Sequence, residues 1–307
     1  MLVYIAGAGA IGCNIGFHLQ KYTDSEVILL DTWQAHVDAI NAHGLTVTGK
    51  IEGHLPMRAM QPTEASEPAD LVVVITKARD LVAMMDAIKP IITDKTELLC
   101  LLNGMGHEEI LKHYVDMARI NLGVTIWSAG LSGAGQLNVT GIGTIDLQNI
   151  GGNETTGQQI AQLLNQAHLH VHYDDNVRWA IWRKIVFNGI ANALCTILEC
   201  TVGELAHTDT IEAMAKDMVL EYIAVAKAEG VTLDYDEMVT YLKDSAESIA
   251  GHHPSMYQDL IIHNRKTEID NINGAVVKKG EKHDIPTPVN RLLTELIHTK
   301  EQLRGAR

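Results

Sequence analysis

Apolar residues fall in short runs through the first half of the chain and at helical spacing through the second. LVYIA (2–6) is an apolar run closed by glycine, residues 11–21 continue as a helix, and SEVILLD (25–31) is a second strand. The chain therefore opens strand, turn, helix, strand. The alternation returns with ADLVVVITK (69–77), a helical ARDLVAMMDAIKPII (78–92) and TELLCLLNG (96–104), whose unbroken apolar runs suit strands covered on both faces. A parallel, doubly wound sheet accommodates that order. Between 121 and about 150 the texture turns Gly-rich and alternating, as in GVTIWSAG and GTIDLQNIGG, which adds strands at the edge of the same domain. NETTGQQIAQLLNQAHL follows as a helix with Asn153 as its N-cap.

After HVHYDDN (170–176) the β-like texture stops. Residues 177–251 carry long stretches with apolar spacing near 3.6, and 255–307 continue the same way, broken at DIPTP. The expected organisation is α/β: a Rossmann-type domain over residues 1–174 and an all-helical domain over 175–307.

Composition narrows the function classes. The 307 residues carry 38 acidic and 24 basic side chains, a formal net charge of -14, with no Lys/Arg stripe to follow a phosphate backbone. Nucleic acid and anionic membrane surfaces are not expected partners. The start MLVYIAGAGAIG lacks the charged n-region of a signal peptide and no run of 18 apolar residues occurs, so the expected location is cytoplasmic. Cys13, Cys100, Cys195 and Cys200 show no CxxC spacing and sit in apolar runs, as free buried thiols do. The 15 histidines include no HExxH or comparable helical pair with a carboxylate, and no metal is assigned.

The stretch IAGAGAIGCNIG (5–16) carries the first chemistry. Gly7, Gly9 and Gly12 match GxGxxG between a strand and a helix. In that context the first glycine makes the tight turn, the second lets backbone approach a pyrophosphate, and the third permits close helix packing. Gly7, Ala8, Gly9, Ala10, Ile11 and Gly12 are thus the candidate phosphate loop, at a helix N-terminus whose N–H groups favour anions. Asp31 ends the next strand, 19 residues after Gly12, where a carboxylate accepts from ribose hydroxyls. A 2'-phosphate there would meet like charge, and TWQAHVDAI (32–40) supplies no Arg or Lys to neutralise it. NAD is expected over NADP.

In WRKIVFNGIANALCTI (182–197), Lys184, Asn188 and Asn192 recur every four residues along one face of an apolar helix. Two readings stay open. The lysine snorkels and the asparagines satisfy backbone groups, or the ammonium binds a 2-oxo acid and protonates the alkoxide while the amides hold its polar groups. In HPSMYQDLIIHNRKTEIDNINGA (253–275), Pro254 suits a first helical turn, Ser255 and Asp259 share a face, and Glu268 and Asp270 precede NING. A solvated amphipathic helix with its acids outward accounts for that pattern equally well.

GAGAIG, ITKA (75–78), LLNGMG (101–106), WRKIVFNGIANAL, GEL (203–205), PSMYQDL and TEIDNINGA occur in one order along nearly the whole chain. In this combination the chain resembles the ketopantoate reductase (2-dehydropantoate 2-reductase) family. The resemblance implies a Rossmann domain, a helical domain and a cleft between them. It implies Lys184 as the catalytic proton donor and Glu268 as the carboxylate that bonds a substrate hydroxyl and orients the lysine. Asn188, Asn192 and Ser255 look like substrate positions, Asn103 like the asparagine beside the nicotinamide ribose and the reacting centre, and Lys77 like a cofactor-side lysine. Familiar members use NADPH with a basic residue near the end of the second strand, where this chain has Asp31. The family also includes NAD-dependent D-2-hydroxyacid dehydrogenases of the D-mandelate type, and LLDTWQAHV (29–37) fits that branch. The expectation is therefore NADH-dependent reduction of a branched or aromatic 2-oxo acid to the D-2-hydroxy acid. The alternative is reduction of 2-dehydropantoate with NADPH, and a non-catalytic NAD-binding protein is a remote third. Symmetry statistics favour a homodimer.

Overall fold

The computed structural model describes residues 1–306, which divide into two compact units: 1–102 with 107–177, and 103–106 with 178–306. In the first unit, β1 (Leu2–Ala6), α1 (Ala10–Tyr22), β2 (Glu26–Leu30) and α2 (Gln34–His43) lead into β3 (Leu45–Gly49), β4 (Gly53–Leu55) and β5 (Arg58–Met60). Then come β6 (Leu71–Val74), α3 (Leu81–Ala87), β7 (Glu97–Cys100), the one-turn α4 (Glu108–Leu111) and β8 (Ile120–Thr125). The unit closes with β9 (Ser128–Gly133), β10 (Gln136–Gly141), β11 (Ile145–Asn149), α5 (Glu154–Gln166) and β12 (Val171–Tyr173).

Eight strands form the main sheet in the order β12-β11-β8-β7-β6-β1-β2-β5. The pairs from β8 through β5 are parallel, whereas β11 runs antiparallel to β8, so the wholly parallel sheet expected from the sequence acquires a reversed edge. β9 and β10 are a hairpin that leaves the main sheet and pairs with β3, itself paired to β4, in the order β4-β3-β10-β9. This sheet was not foreseen. It covers α1, whose residues Gly12 to Leu19 are all buried, because the helix has a sheet on either side of it. Asn153 caps α5, its side chain accepting from Thr156 N at 3.4 Å.

The expected helix over 78–92 is broken: only Leu81–Ala87 is α-helical, between 3-10 turns at Ala78–Asp80 and Lys89–Ile91. Pro90 lacks the N–H that a continuing helix needs.

In the second unit, α6 (Val177–Leu198) is followed by α7 (Val202–Ala206), α8 (Ile211–Ala228), α9 (Tyr235–Ser248), the single turn α10 (Ser255–Tyr257), α11 (Asn273–Lys282) and α12 (Pro288–Arg304). Continuous helix beyond 255 does not occur. α10 passes into a π-helical turn at Gln258–Ile262, and 3-10 structure resumes only at Ile269–Asn271. Pro254 precedes the first helical turn as its N-cap instead of lying inside it.

α6 is buried along most of its length. Its Gly189 is required by packing, since a Cβ there would lie 1.7 Å from the Tyr222 hydroxyl oxygen. Beside it, Asn273 Nδ2 donates to Gly189 O at 3.0 Å and to Asn290 Oδ1 at 3.0 Å, a polar lock within an otherwise apolar core.

Candidate active site

The glycine loop follows β1, where the strand order reverses between β2 on one side and β6 on the other. Ligands of open α/β sheets bind outside the strand ends at such a switch point. Gly7 has φ +112°, and a Cβ there would sit 2.8 Å from Ile75 O, so only glycine makes this turn between β1 and the end of β6. A Cβ on Gly12 would fall 1.9 Å from Gly7 O, which forces the start of α1 against the loop. Gly9 differs: nothing lies within 4 Å of its would-be Cβ, so its glycine is not demanded by the protein's own packing. It is the N-cap of α1, no side chain caps that end, and no acidic residue stands in the first turn. Uncapped N–H groups beneath open space are what a pyrophosphate needs. Ala10 and Ile11 begin the helix, half-buried, and Ala8 is buried with its N–H given to Leu30 O at 2.9 Å.

Asp31 is half-buried immediately after β2. Its Oδ1 accepts from Trp33 N at 2.8 Å, a local turn that fixes the carboxylate. Behind it stands His36, fully buried, which sequence reasoning missed. Gly135 N donates to its Nδ1 at 3.0 Å, so Nε2 carries the proton and donates to Ala8 O in the glycine loop, also at 3.0 Å. Burial pushes this imidazole below its ordinary pKa, against the pull of Asp31, consistent with the neutral tautomer. Trp33 stacks on it at 5.2 Å between ring centroids and 7° between planes. The signal was absent from the sequence because Gly135 lies 99 residues away. Lys77 is half-buried at the N-cap of the 3-10 turn after β6.

In the helical unit, Lys184 Nζ donates to Asn103 Oδ1 at 2.8 Å. Asn103 is brought there by Gly104, whose φ of +91° lets the turn lie against Asn271, and by Met105 N donating to Asn271 O at 3.2 Å. These contacts explain why residues 103–106 group with the helices. Loss of water pushes the lysine from its ordinary 10.5 down to about 8, while the charge of Glu268 opposes the fall. Glu268 is buried at the N-cap of the Ile269–Asn271 turn. Lys184, Asn103 and Glu268 thus come together from three separate segments.

Asn188 and Asn192 follow Lys184 along α6, half-buried and buried, and among the described residues neither side chain makes an intramolecular hydrogen bond. An amide left without a protein partner is available to a ligand. Ser255 is exposed at the first position of α10, with Asp259 one turn on, buried and bonded by Arg265 at 2.9 Å. Among the described residues no hydrogen bond is seen between Ser255 and the lysine group. Among the described residues no group of three His, Cys, Asp or Glu side chains could hold a metal ion, and no helix is long and apolar enough to cross a membrane.

A family model described as ketopantoate reductase PanE/ApbA matches residues 3–152, and one for the C-terminal part of the same family matches 176–301. The chain belongs to the ketopantoate reductase family. It is an oxidoreductase acting on a CH–OH group with a nicotinamide cofactor, and the 2-oxo acid reductase reaction is the one its relatives share. A 2-dehydropantoate 2-reductase of Streptococcus pyogenes is 47% identical over 302 residues, 98% of each chain. One from Lactococcus lactis is 42% identical, covering all of both. A solved D-mandelate dehydrogenase with NADH and anilino(oxo)acetate is 40% identical over all of both chains, with a TM-score of 0.96.

Proposed function

We propose that this ketopantoate reductase family member reduces a 2-oxo acid branched beside the carbonyl, with Lys184 as the proton donor. The carrying observation is the ammonium held by Asn103 Oδ1 at 2.8 Å and lowered to about 8, close to the operating pH of a general acid. The residues of the first unit fit a dinucleotide, because Gly9 leaves open the space above an uncapped helix start and Asp31 presents a carboxylate for ribose hydroxyls. When bound, that cofactor supplies the hydride.

The chain's own residues do the rest. Lys184 gives a proton from Nζ to the carbonyl oxygen as it becomes a hydroxyl, and its charge stabilises that oxygen beforehand. Asn103 takes one ammonium N–H and so aims the others. Glu268 keeps the nitrogen protonated and offers an acceptor to a substrate hydroxyl. Asn188, Asn192 and Ser255 supply neutral donors for the carboxylate and hydroxyl groups, and Lys77 stands on the cofactor side.

On substrate, the names of the curated relatives favour 2-dehydropantoate over the aromatic or branched 2-oxo acid that the sequence reading placed first. We adopt 2-dehydropantoate as the first reading. Its hydroxyl needs a polar partner, since a buried acceptor or donor left unpaired costs about 1–3 kcal/mol, and Glu268 can serve. The D-2-hydroxyacid dehydrogenase reading stays second, favoured by the likeness to D-mandelate dehydrogenase solved with NADH. On cofactor, Asp31 supports NADH by repelling a 2'-phosphate. The protein as a homodimer belongs to the same proposal.

Initial rates with NADH and NADPH, each against 2-dehydropantoate and a panel of branched and aromatic 2-oxo acids, test this. Highest kcat/KM for 2-dehydropantoate supports the first reading. Fast turnover of several aromatic or alkyl 2-oxo acids with 2-dehydropantoate slow replaces it by the second, and no oxidation with any 2-oxo acid refutes both.

A further inference from the structure

His298, on α12, stands between two carboxylates. Its Nδ1 lies 3.0 Å from Glu301 Oε2, one turn along the same helix, and its Nε2 lies 3.0 Å from Asp270 Oδ1 in the Ile269–Asn271 turn. A neutral imidazole has one N–H and one bare acceptor nitrogen, and a carboxylate has no proton to offer. Both contacts are satisfied together only by the imidazolium. Asp270 and Glu301 are the charged groups that act on it, and their attraction outweighs the opposing effect of partial burial, so its pKa is raised.

The other oxygen of Glu301 reaches the same loop from its near side. Glu301 Oε1 accepts from Thr267 N and from Thr267 Oγ1, both at 2.7 Å, and Thr267 Oγ1 accepts in turn from Ile269 N at 3.3 Å. Thr267 immediately precedes Glu268 and Asp270 follows it by two residues. Hence the chain is tied to α12 on both sides of the Glu268 carboxylate: His298 makes the tie to Asp270 directly and holds the Glu301 carboxylate that makes the tie to Thr267. The brace extends further: Asn271 N donates to Glu268 O at 3.0 Å, and Asn271 O accepts from Met105 N, which anchors the turn carrying Asn103.

We propose that His298 is a positioning residue which, as the imidazolium, holds the 267–271 loop so that Glu268 and Asn103 stay beside the Lys184 ammonium. The inference rests on the reading of Lys184 and Glu268 given above. Deprotonation of His298 leaves one N–H for two carboxylates, so either Asp270 or Glu301 loses its donor and the brace is weakened.

The test is a pH series of kcat/KM for the 2-oxo acid with wild type, H298Q, H298R, E268Q and the H298Q/E268Q double variant. H298Q is expected to lose about tenfold in kcat/KM near neutral pH, as losing a charge-assisted hydrogen bond does. Its alkaline limb should move to lower pH, because a displaced Glu268 supports the ammonium less, while the KM for the nicotinamide cofactor stays near wild type. H298R, whose guanidinium can donate to both carboxylates, should recover most of the activity. The double variant should lose less than the product of the two single losses, since His298 acts in part through Glu268. A wild-type limb in H298Q alongside an impaired E268Q, or losses that multiply in the double variant, overturns the role of His298. A wild-type E268Q overturns the reading of Glu268 instead. Should H298Q fail to fold, nitrogen NMR of the wild-type imidazole decides: two protonated ring nitrogens at pH 7 support the brace, and one refutes it.

Discussion

Lys184 offers the sharpest quantitative prediction, because its chemistry and its environment push on the same proton. A fall from 10.5 to about 8 disfavours the ammonium by about 3 kcal/mol relative to a lysine in water. With the group at about 8, roughly nine-tenths of the enzyme carries the proton at pH 7 and about one-tenth at pH 9. Since reduction needs the ammonium, kcat/KM for the 2-oxo acid should be level below pH 7 and fall tenfold per pH unit above about 8. Oxidation of the hydroxy acid needs the free amine and should rise through the same pH to a plateau. Two substitutions move the limb in opposite directions. E268Q removes the charge that supports the ammonium, so the limb drops by about one pH unit or more, the usual effect of losing a nearby opposite charge. N103D places a carboxylate at the 2.8 Å contact and raises the limb by a similar amount. Stopped-flow NADH absorbance in a constant-ionic-strength buffer series measures all of this. A rate of reduction that stays flat from pH 7 to 10, or a limb that E268Q and N103D move the same way, would refute the assignment of the limb to Lys184.

K184A is expected to lower kcat by about 10²–10⁴, the range of a lost general acid, with NADH affinity by fluorescence titration unchanged. D31N keeps the hydrogen bond from Trp33 N but removes the charge, so the ratio of kcat/KM with NADPH to that with NADH should rise at least about tenfold; an unchanged ratio would show that Asp31 does not set the cofactor preference. The glycines separate by what each is for. G12A drives a methyl group into Gly7 O and should cost about 1–3 kcal/mol of stability, seen as a lower Tm. G9A meets no protein atom within 4 Å, so Tm should hold while the Kd for NADH weakens about tenfold or more, and equal effects from the two would contradict the separation.

Much of this protein is written locally. The turn at Gly7, the helix start at Gly12 and the carboxylate at Asp31 depend on conformations and spacings within one strand–turn–helix–strand unit, so they are readable without knowing what lies nearby. The stripe of Lys184, Asn188 and Asn192 is set by the helical period in the same way. Its meaning is not local. Whether Lys184 snorkels or acts as an acid depends on Asn103, 81 residues away, and on Glu268, and only the path of the chain brings these together. Hairpin β9–β10 reads as two more strands from its alternation, but its choice of β3 over the main sheet is a pairing between segments about 90 residues apart. His36 and His298 are invisible for the same reason. A histidine's tautomer and charge are fixed by the groups that face its two nitrogens, and here Ala8, Gly135, Asp270 and Glu301 are supplied by tertiary structure, with only Glu301 close in sequence to the ring it holds.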